Sequence, residues 1–378
     1  MIPLQQQRAW VNINHHNLTH NVKVLKQWLN SGTKLMTVIK ADAYGHGAVK
    51  VAQTVIKAGV DAVAIATLLE GIELRQAGIE APILILGAIN TADEVKEIVK
   101  HNLEATLCSP HQAQVFADTL QSLNYVLPVH LKLDTGMSRL GTHWHNAVDF
   151  VKYVQQFPQL QLKSVYSHLA TADEEDTTVM KLQQSRFEEA IFALKSANIS
   201  IPCLHLANSA GTLCDRSLHY DLVRVGLALY GLYPAPHLRH TVPLKPVLEV
   251  KARITQIKTI PAHTGVSYGH TFRCDRPLKI AVVGIGYADG IPRLLSNKMN
   301  VIVQGKLAPQ IGNITMDQLM IDVTAFPDLE VGEIVTLLGE EGEIVISADD
   351  WANAIGTISW EILCSFKHRL PRINLYEA

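Results

Sequence analysis

The residues with the most chemical potential stand in one short run, Thr37-Val38-Ile39-Lys40-Ala41-Asp42-Ala43-Tyr44-Gly45-His46-Gly47, where an apolar stretch delivers a lysine to its end and a glycine-punctuated turn comes next. Apolar flanks penalise the ammonium form, lower its pKa and favour a nucleophilic amine, the group that forms a Schiff base with a carbonyl cofactor. A strand-end lysine is more commonly a snorkelling one, its stem on apolar surface and its head in water, so the run needs company. Four further segments supply it: Lys132 to Gly141, with Asp134 and Arg139; Tyr166 to Asp173, with His168; His205 to Ala210, with Asn208 and Ser209; and Val223 to Leu227, with Arg224 and Gly226. A phosphate-bearing ligand wants hydroxyls and free backbone amides, which Ser209, Gly226 and Leu227 can supply.

What positions these groups is a series of eight short apolar runs with helical segments between them. The runs are Lys34 to Asp42, Ala62 to Thr67, Pro82 to Ala88, Glu104 to Ser109, Leu127 to Asp134, Leu162 to His168, Cys203 to Asn208 and Leu222 to Gly231. Continuous Val/Ile/Leu runs signify parallel strands buried on both faces, and Val49 to Ala58, Asp93 to His101, Gln112 to Gln121, Trp144 to Gln156 and Met180 to Ala197 carry helical periodicity. The fold class expected is α/β, an N-terminal (β/α)8 TIM barrel, with the chemistry at the C-terminal strand ends where the polar residues fall. An open doubly wound sheet is disfavoured because no GxGxxG comes after the first strand.

After Pro234-Ala235-Pro236 strands succeed one another without helices: Val247 to Ile260, Lys279 to Gly286, Met299 to Val303, Gln318 to Val323 and Glu333 to Leu338, with one late helix over Ser347 to Ile355. The spacing predicts a barrel over 1–240 and a mostly-β domain over 241–378. The opening strand Ala9 to Ile13 is expected to pair with the later domain, and Asn14 to cap a helix from His15 to Leu29.

Lys+Arg 33 against Asp+Glu 35 gives a net charge of -2, and 48% hydrophobic with 18% charged residues describes a globular chain. No basic run points to nucleic acid or a membrane surface, and the expected partner is a small molecule. The five cysteines are scattered and never form a CxxC pair, and the N-terminus lacks an apolar signal core, so a reducing, cytoplasmic setting is expected. The 17 histidines show no HExxH frame, so no catalytic metal is expected.

VIKADAYGHG, with GVSYGHTF (Gly265 to Phe272) and GYADG (Gly286 to Gly290) in order behind it, resembles the alanine racemases over essentially the full length, from Arg8-Ala9-Trp10 to Arg369-Leu370-Pro371-Arg372. The resemblance implies a pyridoxal 5'-phosphate enzyme that interconverts L- and D-alanine for peptidoglycan. It implies that Lys40 holds the cofactor as a Schiff base, that Tyr44, Ser209, Gly226 and Leu227 bind its phosphate with Asn208 and Trp360 beside them, and that Arg224 faces the pyridine nitrogen. His168 would bridge Arg224 to Tyr268, the second proton carrier opposite Lys40. Arg139 and Met316 would hold the substrate carboxylate, with Lys132, which is carbamylated in some family members, Thr315 and Asp317 behind them. Tyr268 and the Thr315-Met316-Asp317 segment would enter the partner's site, which implies a homodimer.

The chain departs from the family pattern at Ser359-Trp360-Glu361, where Asn-Tyr-Glu is usual, and at Ser138 for glycine, Val225 for proline, Asn313 for arginine and Thr315 for cysteine or serine. Indole donates one hydrogen bond but is larger than phenol, so Trp360 bears on pocket shape. A broader racemase acting on serine, and a pyridoxal-phosphate-binding protein without turnover, are the competing readings.

Overall fold

The parallel strands form because their apolar runs are buried on both sides. Ala62–Ile65 and Leu222–Val225 are buried throughout, as are all but the first residue of Lys34–Val38. A computed structural model describes residues 6–376. They cluster into two units: one of Leu18–Ala43 and Ala48–Lys245, the other of the described residues up to Asn17, of Tyr44–Gly47 and of those from Pro246 onward.

In the first unit eight parallel strands run in the order Leu222–Val225, Lys34–Val38, Ala62–Ile65, Ile83–Ala88, Glu104–Leu107, Leu127–Asp134, Leu160–Tyr166 and Leu204–His205. Backbone bonds from Asp221 N to Leu204 O (3.1 Å) and from Arg224 N to Ala207 O (3.0 Å) join the two ends and close the barrel. Around it lie the helices His15–Trp28, Ala48–Lys57, Leu68–Gln76, Ala92–Lys100, Pro110–Leu123, Ala147–Gln155 and Thr178–Ser196. The periodicity missed Leu68–Gln76, whose start is nevertheless written in a capping box, Thr67 with Glu70. This unit extends to Lys245 rather than ending at His240, because Asn21 in the first helix exchanges two 2.8 Å bonds with the Lys245 backbone.

The second unit carries a mostly antiparallel sheet of nine strands. Ala9–Asn14 pairs antiparallel with Leu248–Ile260 on one side and parallel with Arg372–Leu375 on the other. Asn14 Oδ1 accepts from Asn17 N at 2.9 Å, an N-cap contact at the start of His15–Trp28. Lys306–Ile311, Ile344–Ile346 and Arg372–Leu375 are strands that the pattern did not announce, and a second helix, Ser359–Ser365, succeeds Ala348–Ile355.

Candidate active site

Lys40 is half-buried just past the strand Lys34–Val38, and the backbone turns left-handed immediately after it. Ala41, Asp42, Ala43 and Tyr44 all have φ between 52 and 54°, and Gly45 has φ 80°. A left-handed turn of L-residues costs about 1–2 kcal/mol per residue, so these need compensation. Ala43 N donates to Ile39 O (2.9 Å), Ala41 N to Glu70 Oε1 (2.7 Å) and Ala48 N to Asp42 Oδ1 (2.7 Å). Glu70 Oε2 also takes the amides of Ala66 (2.7 Å) and Thr67 (3.0 Å), so one carboxylate ties two strand-end turns together. In the second unit Gly45 O accepts from Arg372 Nε (3.1 Å) and Nη2 (2.9 Å), and a Cβ at Gly45 would lie 2.5 Å from Leu363 O. Tyr44 is buried among the second unit's residues, and burial pushes its hydroxyl pKa up, so it stays a neutral phenol.

At the end of its strand Arg224 is 3% exposed. Its Nη1 donates to His205 Nδ1 (2.8 Å), and its Nη2 to Ser167 O (2.6 Å), Leu206 O (3.1 Å) and His168 Nδ1 (3.3 Å). Burial pushes its pKa down to about 10, yet it remains a cation at neutral pH. His168 is held well below the ordinary histidine range, first by burial and then by the positive charges of Arg224, Lys132, Arg139 and Lys40. It is therefore neutral, and since Nδ1 accepts from Arg224, its hydrogen sits on Nε2 as an available donor. Gln183, wholly buried, fixes the His168 segment through Nε2 to His168 O (3.0 Å) and Oε1 from Ala170 N (2.8 Å).

Ser209 Oγ accepts the amides of Gly226 (2.9 Å) and Ala228 (3.4 Å), where the starts of the short helices Ser209–Cys214 and Leu227–Tyr230 converge. Asn208 caps the first of these, its Oδ1 accepting from Gly211 N at 2.9 Å. With those amides turned onto Ser209 Oγ, its own hydroxyl hydrogen is left to donate at the two helical starts, a position that suits an anion. Lys132 is 5% exposed with Nζ 5.5 Å from the Tyr166 ring centre, and burial, then the Arg224 charge, pushes its pKa down to about 8. Arg139 is exposed, after a turn in which Asp134 Oδ1 takes the amides of Gly136 (2.9 Å) and Ser138 (3.1 Å). Ser138 has φ 55°, which accounts for the glycine usual there in the resemblance.

The second unit presents Tyr268 at 74% exposure and Met316 at 53%. Tyr268 is flanked by left-handed residues, Ser267 at φ 63° and Gly269 at 69°. Ser267 Oγ donates to Asn313 O and Asn313 Nδ2 to Tyr268 O, both at 2.6 Å. The Thr315-Met316 carbonyls accept from Tyr287 N and Ala288 N at 3.0 Å, and a Cβ at Gly286 would fall 2.2 Å from Thr315 O, so GYADG is the bed for this segment. Asp317 pairs with Arg369, which also reaches Asp289 (3.4 Å), itself bound by Arg8 (2.6 Å). Thr315 Oγ1 closes its own turn on Gln318 O at 2.8 Å. Trp360 is half-buried in Ser359–Ser365. Sequence reasoning missed Glu70, Gln183, His205 and Asn313 as supports; only Glu70 carried a readable signal, its capping box.

No group of three or more His, Cys, Asp or Glu side chains among the described residues is placed to hold a metal ion, and no helix among them is long and apolar enough to cross a membrane.

A closed parallel barrel with a half-buried lysine, a buried arginine and a serine held between two helical starts at its strand ends defines the class, a (β/α)8-barrel enzyme with a β-rich second unit. The N-terminal alanine racemase domain matches residues 13–234 and the C-terminal alanine racemase domain residues 247–374. An alanine racemase from a Nostoc species is 60% identical over 98% of this chain and 96% of its own. The solved alanine racemase of Clostridium difficile 630 superposes with a TM-score of 0.93 at 34% identity, covering 98% of this chain and 96% of the other. That of Bartonella henselae, with covalently bound pyridoxal phosphate, gives 0.87 at 30% identity over 98% and 100%. The chain belongs to the alanine racemase family of isomerases.

Proposed function

We propose that this chain interconverts L- and D-alanine with pyridoxal 5'-phosphate held on Lys40. The observation that carries the reading is Arg224, a buried cation whose bonds go to two carbonyls and two imidazole nitrogens. An arginine cannot accept the pyridine proton, which suits a cofactor ring used as a moderate electron sink and restrains stray transamination. When bound, the cofactor supplies the acidity of the substrate Cα–H. The protein's part is to bind, aim and carry protons.

Ser209, the amides of Gly226 and Leu227, and Tyr44 are the proposed phosphate ligands, with Asn208 orienting Ser209 and Trp360 beside the pocket. Racemisation takes the Cα proton from one face and returns one to the other, so two proton carriers must face each other. Lys40 Nζ is the proposed carrier on one face and the hydroxyl of the partner subunit's Tyr268 on the other. The exposure of Tyr268 and Met316 supports a homodimer with shared sites. The His168 Nε2–H, fixed by the Arg224 contact at Nδ1, is the donor that would hold the tyrosine oxygen and favour its phenolate. Arg139 and the Met316 amide are the proposed carboxylate ligands, backed by Lys132, Thr315 and Asp317. Five free cysteines support a cytoplasmic setting, and supply of D-alanine to peptidoglycan is the role the family membership suggests.

The test is incubation of the purified protein and cofactor with L-alanine, and separately L-serine, in heavy water, tracking chirality and Cα deuterium together. Inversion of alanine with deuterium uptake, and slow inversion of serine, is expected. Serine turning over as fast would overturn the alanine assignment, and exchange of neither would favour a binding protein without turnover. Lys40→Ala should abolish the visible imine absorbance.

A further inference from the structure

Beneath Arg224 a line of polar side chains runs through the barrel core. Arg224 Nη1 meets His205 Nδ1 at 2.8 Å, His205 Nε2 meets Ser164 Oγ at 2.8 Å, Ser164 Oγ meets His130 Nδ1 at 2.6 Å, and His130 Nε2 meets Glu104 Oε2 at 2.9 Å. His205 and Ser164 are at most 1% exposed and His130 is 6% exposed, while Glu104 opens the strand Glu104–Leu107 at the opposite end of the barrel from Arg224. The two ends decide the direction of the outer bonds. A guanidinium can only donate, so His205 Nδ1 must accept and its hydrogen lies on Nε2. Ser164 therefore accepts from His205, the carboxylate of Glu104, which can only accept, takes the His130 Nε2 hydrogen, and in the oriented form of the chain the Ser164 hydrogen goes to His130 Nδ1. Every link is satisfied when both rings are in the Nε2–H form.

We propose that Glu104, His130 and Ser164 are positioning residues for Arg224, acting as an oriented relay that locks His205 in its Nδ1-acceptor form and so sets the tilt of the guanidinium at the strand ends. Reversal of the His205 tautomer would bring two N–H groups face to face and release Nη1, with the remaining hold on Nη2 alone. Burial, then the charge of Arg224, keeps His205 well below the ordinary histidine range, in agreement with the neutral form its acceptor role toward Arg224 requires. The other groups around it are the Tyr166 ring, stacked at 4.6 Å and 6°, and His130, edge-on at 6.2 Å. The Tyr166 hydroxyl donates to Thr106 Oγ1 (2.8 Å), which donates on to Ile85 O (2.7 Å), so it does not compete for the relay. In oriented chains of this kind each bond polarises the next, and a partly satisfied chain is worse than none.

The relay matters to turnover only through the role proposed for Arg224, so its test needs a readout independent of that role. Nitrogen spectra of 15N-histidine protein, with and without cofactor, report the tautomers directly, the two resonances being assigned from His130→Gln and His205→Gln. Wild type should show both rings hydrogenated at Nε2 alone. Ser164→Ala should give His205 a population hydrogenated at Nδ1, with kcat lower by about tenfold and KM changed less than about twofold. Ser164→Thr, which restores the hydroxyl, should recover both. Glu104→Gln keeps an acceptor oxygen and provides a variant at the core's edge that should retain both tautomers. A Ser164→Ala protein whose His205 keeps the wild-type tautomer overturns the relay, as does a wild-type His205 hydrogenated at Nδ1. Absence of racemisation in wild type would overturn the catalytic reading while the spectra still decide the relay.

Discussion

Asn313 Nδ2 lies 2.6 Å from the carbonyl oxygen of Tyr268 and holds the exposed tyrosine from behind. The Asn313 backbone carbonyl meanwhile takes the Ser267 hydroxyl, so both sides of the left-handed Ser267-Tyr268-Gly269 turn are fastened to one residue. Asn313→Ala should lower kcat by roughly tenfold through loss of aim, and stability by about 1 kcal/mol. Steady-state kinetics with a thermal melt checks this, and an unchanged kcat would show that Asn313 does not aim the tyrosine.

Glu70 binds three backbone amides, one of them next to Lys40. Glu70→Ala removes the reciprocal half of a capping box and leaves the Ala41 amide without its acceptor, so a stability loss of about 0.5–2 kcal/mol is expected. Because that amide lies in the left-handed turn, a slower return of cofactor absorbance should accompany it when cofactor is added back after stripping with hydroxylamine and dialysis. Equilibrium urea unfolding and a reconstitution time course measure the two effects separately.

Trp360 replaces the tyrosine usual in the resemblance and stands half-buried in a short helix of the second unit. Trp360→Tyr should change the ratio of alanine to serine turnover by several-fold if the indole shapes the pocket. A ratio that stays constant would mark the swap as neutral.

Lys132 titrates at about 8 rather than at the ordinary lysine value, chiefly because it is buried. The fold disfavours the ammonium form, so the unfolded chain binds more protons between pH 8 and the free-lysine pKa, and stability should rise with pH across that window. In carbon-dioxide-free buffer the rise should be present in wild type and diminished in Lys132→Met, as read by urea midpoints at several pH values. The neutral amine is also the form that adds carbon dioxide, so bicarbonate should produce a mass increase of one CO2 at this residue, lost in Lys132→Met.

The barrel was legible because buried parallel strands write themselves as unbroken apolar runs, and because Lys40, Asp134, His168, Asn208 and Arg224 all close or flank such runs. Supports such as Gln183 and His205 were not, since a polar residue inside a barrel takes its meaning from neighbours on other strands. The strand Lys306–Ile311 escaped because its Lys-Leu-Ala-Pro-Gln-Ile sequence shows neither alternation nor a continuous run. Least readable was the handedness of the turn after Lys40: Ala, Asp, Ala and Tyr carry no signal for positive φ, and the conformation is imposed by Glu70, Asp42 and the contacts of Gly45.

That turn has a consequence for its own building blocks. By mirror symmetry, the backbone angles at Ala41 and Ala43 are those in which a D-alanine residue is at ease. A semisynthetic chain with D-alanine at either place should fold more stably than the natural one, whereas valine there, branched next to the backbone, should prevent the turn. An isomerase that treats the two hands of alanine alike would thus rest on a segment where the chain itself, though made of one hand, is bent to suit the other.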